Sequence, residues 1–296
     1  MTTLQLKLLF NKQAEEAARF YTDLFEGGRI INVTRYPKDR NECVACGINP
    51  ADAGEVMNVD FEIGRTLFTA INGKEGPEYD HSSSLSLLVY CKDHDEWNFL
   101  YDQLISDGKI ISTTIEESDT DQHMMIQDKF GVFWRLLVSR TEQKQKVQPY
   151  LLFSGKKSNV VAEVFRHYTQ IFPDSNKFTN NMIPSIRDEM TFSLENQSII
   201  CGEVVEAPNF SEALSFIINC DNQAEVDYYW NKLIEGGDGY YRGESAWLVD
   251  KHGIWWQVIT RELTEMMRET EHLENSIKEL EKNERINVKE IKERRK

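Results

Sequence analysis

Two stretches decide the fold of this chain, Asp128–Trp134 (DKFGVFW) and Asp250–Trp256 (DKHGIWW). Both carry an aspartate, a lysine, a glycine and a tryptophan at the same spacing. An aspartate followed by a glycine that tolerates positive φ is typical of a hairpin turn between two strands. The shared pattern therefore predicts the same turn, followed by the same inward-packed tryptophan on a final strand, at two places in the chain.

The similarity continues upstream of both stretches in the same order. Three further pairs of segments match, namely Leu8–Phe10 with Leu151–Phe153, Tyr21–Phe25 with Tyr168–Phe172, and Leu85–Cys91 with Leu214–Cys220. The offset between copies falls from 147 residues at the two tyrosines to 122 at the two aspartates, so the second copy has shorter connections, where deletions are tolerated. The chain is therefore a tandem repeat of one α/β unit.

Each copy is predicted to be doubled internally. A strand at Leu4–Phe10 is followed by a helical pattern from Ala14 to Phe25, capped by Asn11, and then by three strands. The same order restarts at Leu85, with a helix at Asp93–Ser106 whose first residues have capping-box spacing. The fold class is α+β, with βαβββ modules, two to a domain. Whether the modules pair within one copy or across the connection is left open by the sequence.

The pattern gives four segments. We expect a first domain at 1–142, a polar linker at 143–148, a second domain at 149–262 and a charged amphipathic helix at 263–296. Apolar residues recur at three- and four-residue spacing along the last segment, at Leu263, Met266, Met267, Leu273, Ile277 and Leu280. Such a stripe is predicted to dock on its own chain or on a neighbouring one.

Composition narrows the classes of function. The 296 residues carry a net charge of −15, which disfavours nucleic acid and anionic membranes as partners. No apolar run reaches the length of a membrane span, which argues against a transmembrane helix. Five cysteines leave an odd thiol and the first residues do not read as an export signal, so we expect a cytoplasmic protein.

The repeated modules, together with Glu15–Phe25 (EEAARFYTDLF), Asn72-Gly73, Cys220–Trp230 (CDNQAEVDYYW) and the two tryptophan stretches, resemble the PhnB-like branch of the vicinal-oxygen-chelate superfamily. Glyoxalases, extradiol dioxygenases and bleomycin-resistance proteins belong to the same superfamily. The resemblance implies paired modules whose curled mixed sheets form a cup for a small ligand, and it is compatible with a homodimer. Members of this branch often carry a demethylubiquinone methyltransferase label, but no glycine-rich turn of the nucleotide-binding type joins an early strand to a helix here.

The resemblance also implies where a metal would bind. Metal-dependent relatives take His, Glu or Gln ligands from the first and fourth strands of each module, and the first copy has no His or carboxylate on these strands. The second offers Glu203 and Gln257, a poor set for a transition metal. We therefore expect no metal and no cofactor. Cys43 and Cys46 form a CxxC pair in a predicted loop, where they could be redox-active or half of a zinc site, although two thiols without a role are the simpler interpretation.

The candidate ligand-binding residues are Asn72, Trp134, Arg135, Trp247, Trp256 and Gln257. Arg135 in an apolar cup requires an anionic partner, either a ligand or a protein carboxylate. Our first hypothesis is a metal-independent small-molecule-binding protein akin to bleomycin-resistance proteins. The second is an enzyme, a lyase or isomerase with His123 or Glu203 as its base, and the third is a scaffold that assembles through its tail helix.

Overall fold

The computed structural model describes residues 2–45, 48–73, 80–114, 123–139, 144–155, 159–178, 187–237 and 246–268. The first half of this part of the chain contains β1 (Thr3–Phe10), α1 (Ala14–Leu24), β2 (Arg29–Arg35), α2 (Arg40–Ala45), β3 (Val56–Ile63), β4 (Thr66–Asn72), β5 (Leu85–Cys91), α3 (His94–Ile105), β6 (Lys109–Thr114), β7 (His123–Gln127) and β8 (Phe133–Val138). The second half contains β9 (Val147–Ser154), α4 (Val160–Ile171), β10 (Asn176–Phe178), β11 (Arg187–Leu194), β12 (Gln197–Val204), β13 (Leu214–Cys220), α5 (Gln223–Ile234), β14 (Trp247–Val249), β15 (Trp255–Thr260) and α6 (Arg261–Arg268).

The strands form two mixed sheets, and each sheet takes strands from both copies of the repeat. The seven-stranded sheet, here sheet A, has the order β14-β15-β13-β1-β4-β3-β2. The eight-stranded sheet, here sheet B, has the order β10-β11-β12-β9-β5-β8-β7-β6. The copies join where β1 runs antiparallel to β13 and where β5 runs antiparallel to β9. The α+β class and the repeated modules are confirmed, and the modules pair across the connection between the copies.

Helices α1, α3, α4 and α5 cover one face of each sheet. Their apolar residues and the facing strand residues form one continuous buried cluster, which includes Ala17, Leu87, Val164 and Phe216. Because side chains alternate along a strand, the intervening residues point to the other face. We call that other face the cup face of each sheet. The single cluster, shared by both copies, makes each copy depend on the other for its buried surface.

The two repeated aspartates hold the helices to the sheets. Asp128 Oδ2 accepts hydrogen bonds of 2.7 Å from Tyr21 Oη and of 2.7 Å from Trp134 Nε1, while its Oδ1 accepts from two backbone amides of the turn. Asp250 binds Tyr168 and Trp256 in the same way. Gly131 and Gly253 have φ of 87° and 82°, as the hairpin interpretation requires. The repeated motif is therefore a structural clamp between helix and turn.

Several local features differ in detail from the sequence expectations. The amide of Ala14 at the start of α1 is bonded by Asn72 Oδ1 at 2.9 Å, and not by Asn11. Strand β9 begins at Val147, inside the segment 143–148 that we expected to be a linker. The predicted loop around Cys43 contains the short helix α2. The capping aspartate of α3 is confirmed, since Asp93 accepts a 2.8 Å bond from the amide of Glu96.

Helix α6 docks on sheet A, in contact with β13 and β15 of the second copy and β2 of the first. Leu263 and Met266 are buried there, which agrees with the docking predicted from the apolar stripe. The side chain of Met267 and the positions Leu273, Ile277 and Leu280 lie outside the described residues. In the described part of the chain, no helix combines the length and apolar character needed to cross a membrane.

Candidate ligand-binding cup

The cup face of sheet B carries a buried arginine at its centre. Arg135 lies on β8 beside Leu88 of β5, and only 3% of its surface is exposed. Trp134 and Leu136, its neighbours in sequence, belong to the helix-side cluster, so alternation directs Arg135 to the opposite face. A guanidinium at this position is removed from water and must be stabilised by the groups around it.

Three side chains contact the guanidinium. Arg135 Nε donates a 2.8 Å hydrogen bond to Ser86 Oγ, and Nη1 lies 3.3 Å from His123 Nε2. The guanidinium carbon lies 4.6 Å from the centroid of the Tyr150 ring, a cation–π geometry. All three partners are buried and none is an anion at neutral pH.

His123 is held neutral by its surroundings. Burial, with a smaller contribution from the charge of Arg135, lowers its pKa to about 3. Since Nη1 can only donate, we assign Nε2 as the acceptor, which places the imidazole proton on Nδ1. Nδ1 is buried and has no hydrogen-bond partner in the described part of the chain. The site therefore offers an unused imidazole N–H beside the guanidinium.

The carboxylate that acts on the charge of Arg135 is Glu189, which accepts a hydrogen bond from the hydroxyl of Tyr150. Burial lowers the pKa of the Arg135 guanidinium, and the negative charge of Glu189 opposes that effect only in part. Among the described residues, no carboxylate lies within ion-pair distance of Arg135. In the described part of the chain, the charge of Arg135 is therefore stabilised by neutral partners and by the more distant charge of Glu189, without a direct ion pair.

Apolar side chains surround Arg135 and its polar partners on the cup face of sheet B. A separate buried cluster lies on the same face, formed by Leu88, Tyr90, Leu137, Tyr150, Leu152 and Ile200, with Val204 and Ala207 packed against it. A cationic donor set within an apolar wall is the composition of a site for a small organic anion.

The cup face of sheet A is occupied differently, because α6 lies across part of it. Six side chains form a chain of hydrogen bonds that begins and ends on this helix, in the order Thr264, Asn219, Gln5, Thr69, Asp60 and Arg268. Asp60, which is 2% exposed, accepts from Thr69 at 2.7 Å and from Arg268 at 2.9 Å. The helix therefore satisfies polar groups that would otherwise face an empty cup.

Sheet A also holds a buried lysine. Lys7 on β1 is 5% exposed, and its Nζ lies 3.3 Å from the centroid of the Trp247 ring. Trp247 pairs with Gln257 in the register of β14 and β15, so these two predicted ligand-binding residues share the cup face with Lys7. Among the described residues, each sheet thus presents one buried basic side chain to its cup.

The other predicted site residues lie elsewhere. Trp134 and Trp256 are fully enclosed in the helix-side core and bonded to the two aspartates, so they do not line a cup. Asn72 bonds the start of α1. Glu203 lies on the helix side of β12, since Cys201 belongs to the helix-side cluster whereas Ile200 and Val204 belong to the cup cluster. The sequence pattern predicted Trp134 and Arg135 together in the lining of a cup. This prediction was wrong for Trp134, since the two side chains point to opposite faces of β8.

The residues on the cup faces do not fit a divalent metal. Glu203 and Gln257, the two donors considered from the sequence, belong to different sheets. On the strands that carry ligands in metal-dependent relatives, the polar residues of the cup faces include Gln5, Lys7, Thr69, Ser215, Asn219 and Gln257 in sheet A, and Ser86, Arg135 and Tyr150 in sheet B. No His or carboxylate is among the described cup-facing residues of these strands. In sheet B the guanidinium of Arg135 repels a second cation. Within the described ranges, no three His, Cys, Asp or Glu side chains are grouped to hold a metal.

Cys43 is buried, with its thiol directed to the carbonyl of Pro37 at 3.3 Å, and burial raises its pKa. Its partner in the CxxC pair, Cys46, lies outside the described residues. A buried thiol whose pKa is raised is a poor nucleophile and a poor metal ligand.

Sequence reasoning missed Ser86, Tyr150, Glu189 and Lys7. Strand alternation places Ser86 and Lys7 opposite their apolar neighbours, and that signal was present in the sequence. Tyr150 and Glu189 come from the second copy, and they reach Arg135 and its surroundings only because β9 lies beside β5. The pairing of β5 with β9 cannot be predicted from the sequence pattern of either strand alone.

Known proteins resemble this chain at the level of a sequence family and at the level of the fold. The model of the family described as 3-demethylubiquinone-9 3-methyltransferase matches residues 2–137 and 145–259. The crystal structure of glyoxalase I from Zea mays is similar over 94% of this chain and 96% of its own, with 11% identity and a TM-score of 0.55. A protein from Bacillus cereus, described as a putative 3-demethylubiquinone-9 3-methyltransferase, PhnB protein, is 26% identical over 46% of this chain and 98% of its own, with a TM-score of 0.39. A search of curated proteins found no match.

Proposed function

The chain belongs to the 3-demethylubiquinone-9 3-methyltransferase family, a PhnB-like branch of the vicinal-oxygen-chelate superfamily, and we propose that it binds a small organic anion on the cup face of sheet B without a metal. Arg135 is the anchor in this proposal. The observation that carries it is a buried guanidinium with no carboxylate at ion-pair distance among the described residues.

The cost of burying a charge explains why an anion is expected. An uncompensated buried ion is strongly unfavourable, and paired charges with additional hydrogen bonds are the usual arrangement. Arg135 has one strong hydrogen bond, to Ser86, and a contact with a neutral histidine. A carboxylate, phosphate or phosphonate would bond the guanidinium and could also accept the unused Nδ1–H of His123.

The apolar wall favours an organic ligand over an inorganic ion. Leu88, Leu137 and Ile200 line the same face as Arg135 and bury their side chains beside it. Binding of a hydrocarbon portion against them contributes roughly 25 cal/mol for each Å² of apolar surface removed from water. The ligand class is therefore an anion with an apolar body.

A lyase or isomerase activity is the second candidate, with His123 as its base. The pKa of His123 is lowered to about 3, and an efficient base has a pKa near the working pH. Glu203, the other candidate base, lies on the helix side of its strand. Both observations favour binding over proton abstraction.

Titration calorimetry with phenylphosphonate, and with benzyl alcohol as its neutral counterpart, tests the proposal on the full chain. We expect phenylphosphonate to bind and benzyl alcohol to bind far more weakly. Arg135→Gln should weaken phenylphosphonate binding by about 10- to 150-fold, because a hydrogen bond to a charged group contributes about 1.5–3 kcal/mol.

Lys7→Met is the matched control, since it removes the buried basic side chain of the other sheet. It should leave phenylphosphonate binding unchanged. Equal affinity for the neutral alcohol, or an unchanged affinity of Arg135→Gln, would contradict the proposal. Absence of phenylphosphonate binding would contradict it as well.

A further inference from the structure

Lys7 and Arg135 are the buried basic side chains among the described residues, and their surroundings differ. Lys7 lies on β1 in the middle of sheet A, between Thr69 of β4 and Ser215 of β13. Its Nζ is 3.3 Å from the centroid of the Trp247 ring. The amine is thus directed against an aromatic face in the interior of the cup.

The described residues give this amine no hydrogen-bond acceptor and no ion-pair partner. Burial lowers the pKa of Lys7 well below its usual value, and the negative charge of Glu212 opposes that effect only in part. A buried ammonium without an acceptor is unfavourable, whereas a neutral amine loses little by burial. The geometry therefore favours an amine with a free electron pair, the nucleophilic form of lysine.

A hydroxyl group lies beside the amine. Lys7 and Ser215 are direct partners in the antiparallel register of β1 and β13, so their side chains project together from the same face. Ser215 is fully buried, and its Oγ has no hydrogen-bond partner among the described residues. Thr69, on the other side, already donates to Asp60. The pair thus combines a nucleophile with an unused hydroxyl donor.

We propose that Lys7 is a carbonyl-reactive lysine that forms a Schiff base with a small uncharged aldehyde or ketone in the cup of sheet A. The electron pair of Nζ adds to the carbonyl carbon, and the carbonyl oxygen takes up a proton to give a carbinolamine. Loss of that hydroxyl as water, with the remaining N–H proton, leaves a C=N bond, so one water is released and no oxidant is needed. Ser215 Oγ would donate a hydrogen bond to the departing oxygen.

The class of carbonyl compound follows from the surroundings. Glu212 and the face of Trp247 disfavour an anionic molecule next to Nζ, whereas both tolerate a neutral one. Helix α6 covers part of the same face through Thr264 and Arg268, which leaves a small compound as the better fit. This proposal concerns a different sheet and a different residue from the anion site, so either can fail without the other.

Reductive trapping tests the proposal. The full chain is incubated at neutral pH with propionaldehyde and sodium cyanoborohydride, and modified lysines are located by peptide mass mapping. We expect the first propyl group at Lys7, ahead of exposed lysines such as Lys12. Early labelling confined to exposed lysines, with Lys7 unmodified, would overturn the proposal, and this result needs no variant.

Two variants sharpen the assignment. Lys7→Met should remove the early adduct, and Arg135→Gln, in the other sheet, should retain it. Ser215→Ala should slow trapping at Lys7 while leaving its final extent unchanged. An early adduct that persists in Lys7→Met would show that another lysine is responsible.

Discussion

The cup faces of the two sheets differ in what satisfies their polar groups. In sheet A, a chain of hydrogen bonds runs from Thr264 to Arg268 through the strands, so the tail helix serves as the partner. In sheet B, Arg135 has only neutral partners at bonding distance among the described residues. The two sheets are built from the same repeat. Nevertheless, a charged helix residue bonds the buried Asp60 of sheet A, whereas only neutral residues contact the buried Arg135 of sheet B.

The repeat keeps the same framework in both copies, whereas the residues of the cup faces differ. The clamp of Tyr21, Asp128 and Trp134 recurs as Tyr168, Asp250 and Trp256 with nearly the same distances. On the cup faces, by contrast, Arg135 of β8 corresponds to Gln257 of β15 in the repeat. The shared residues stabilise the fold, and the divergent ones give each cup its own chemistry.

The largest expected effect comes from separating the copies. A chain ending at Glu142 loses β9 and β13, the partners of β5 and β1, and with them one half of each cup. We expect it to form a homodimer or to lack a cooperative transition, because two strand edges and part of the shared core become exposed. Analytical ultracentrifugation and thermal denaturation measure this. A monomeric fragment with a sharp transition would contradict the dependence of each copy on the other, since the first copy would then fold independently.

Removal of the tail helix should affect sheet A alone. A chain ending at Thr260 loses the burial of Leu263 and Met266, about 1.5–3 kcal/mol for each side chain, so the free energy of unfolding should fall by about 3–6 kcal/mol. Denaturant titration measures the loss. Phenylphosphonate binding at Arg135, measured at a temperature where the shortened chain remains folded, serves as the control and should be unchanged. Equal stability with and without residues 261–296 would show that α6 does not support the sheet.

Acid should act on sheet B through His123. Its pKa is about 3 in the folded protein, below the value near 6.5 expected for an unfolded chain, so its contribution is present above about pH 6.5. As the pH falls from there towards 3, the unfolded chain takes up the proton first, and stability declines by about 1.4 kcal/mol for each pH unit. His123→Gln should remove this part of the acid sensitivity. His81, whose pKa burial lowers to about 4, contributes separately, so His81→Gln should lose only its own part of the acid sensitivity and keep the part that His123 contributes. Parallel pH profiles for wild type and His123→Gln would rule the effect out.

Local patterns in the sequence are enough to predict the helices, the strands and their repetition along the chain. Alternating and helical patterns depend on neighbours within a few residues, and the helical patterns predicted at Ala14–Phe25 and Asp93–Ser106 match α1 and α3 to within one residue at each end. The hairpin interpretation of the aspartate turns also holds, because aspartate and glycine carry that information locally. The same local pattern was enough to show that Arg135 is a cation within an apolar strand.

The contacts between residues on different strands follow from the tertiary structure and not from the local sequence pattern. β1 and β9 are equivalent strands, as are β5 and β13, so pairing within a copy and pairing between copies would bury the same alternating residues. The strand pattern cannot separate the two arrangements. Because β5 lies between β8 and β9, Arg135 meets Ser86 and Tyr150; because β13 joins β1 to β15, Lys7 comes within reach of Trp247. These neighbours are distant in sequence, and their contacts follow from long-range packing of both copies into one core.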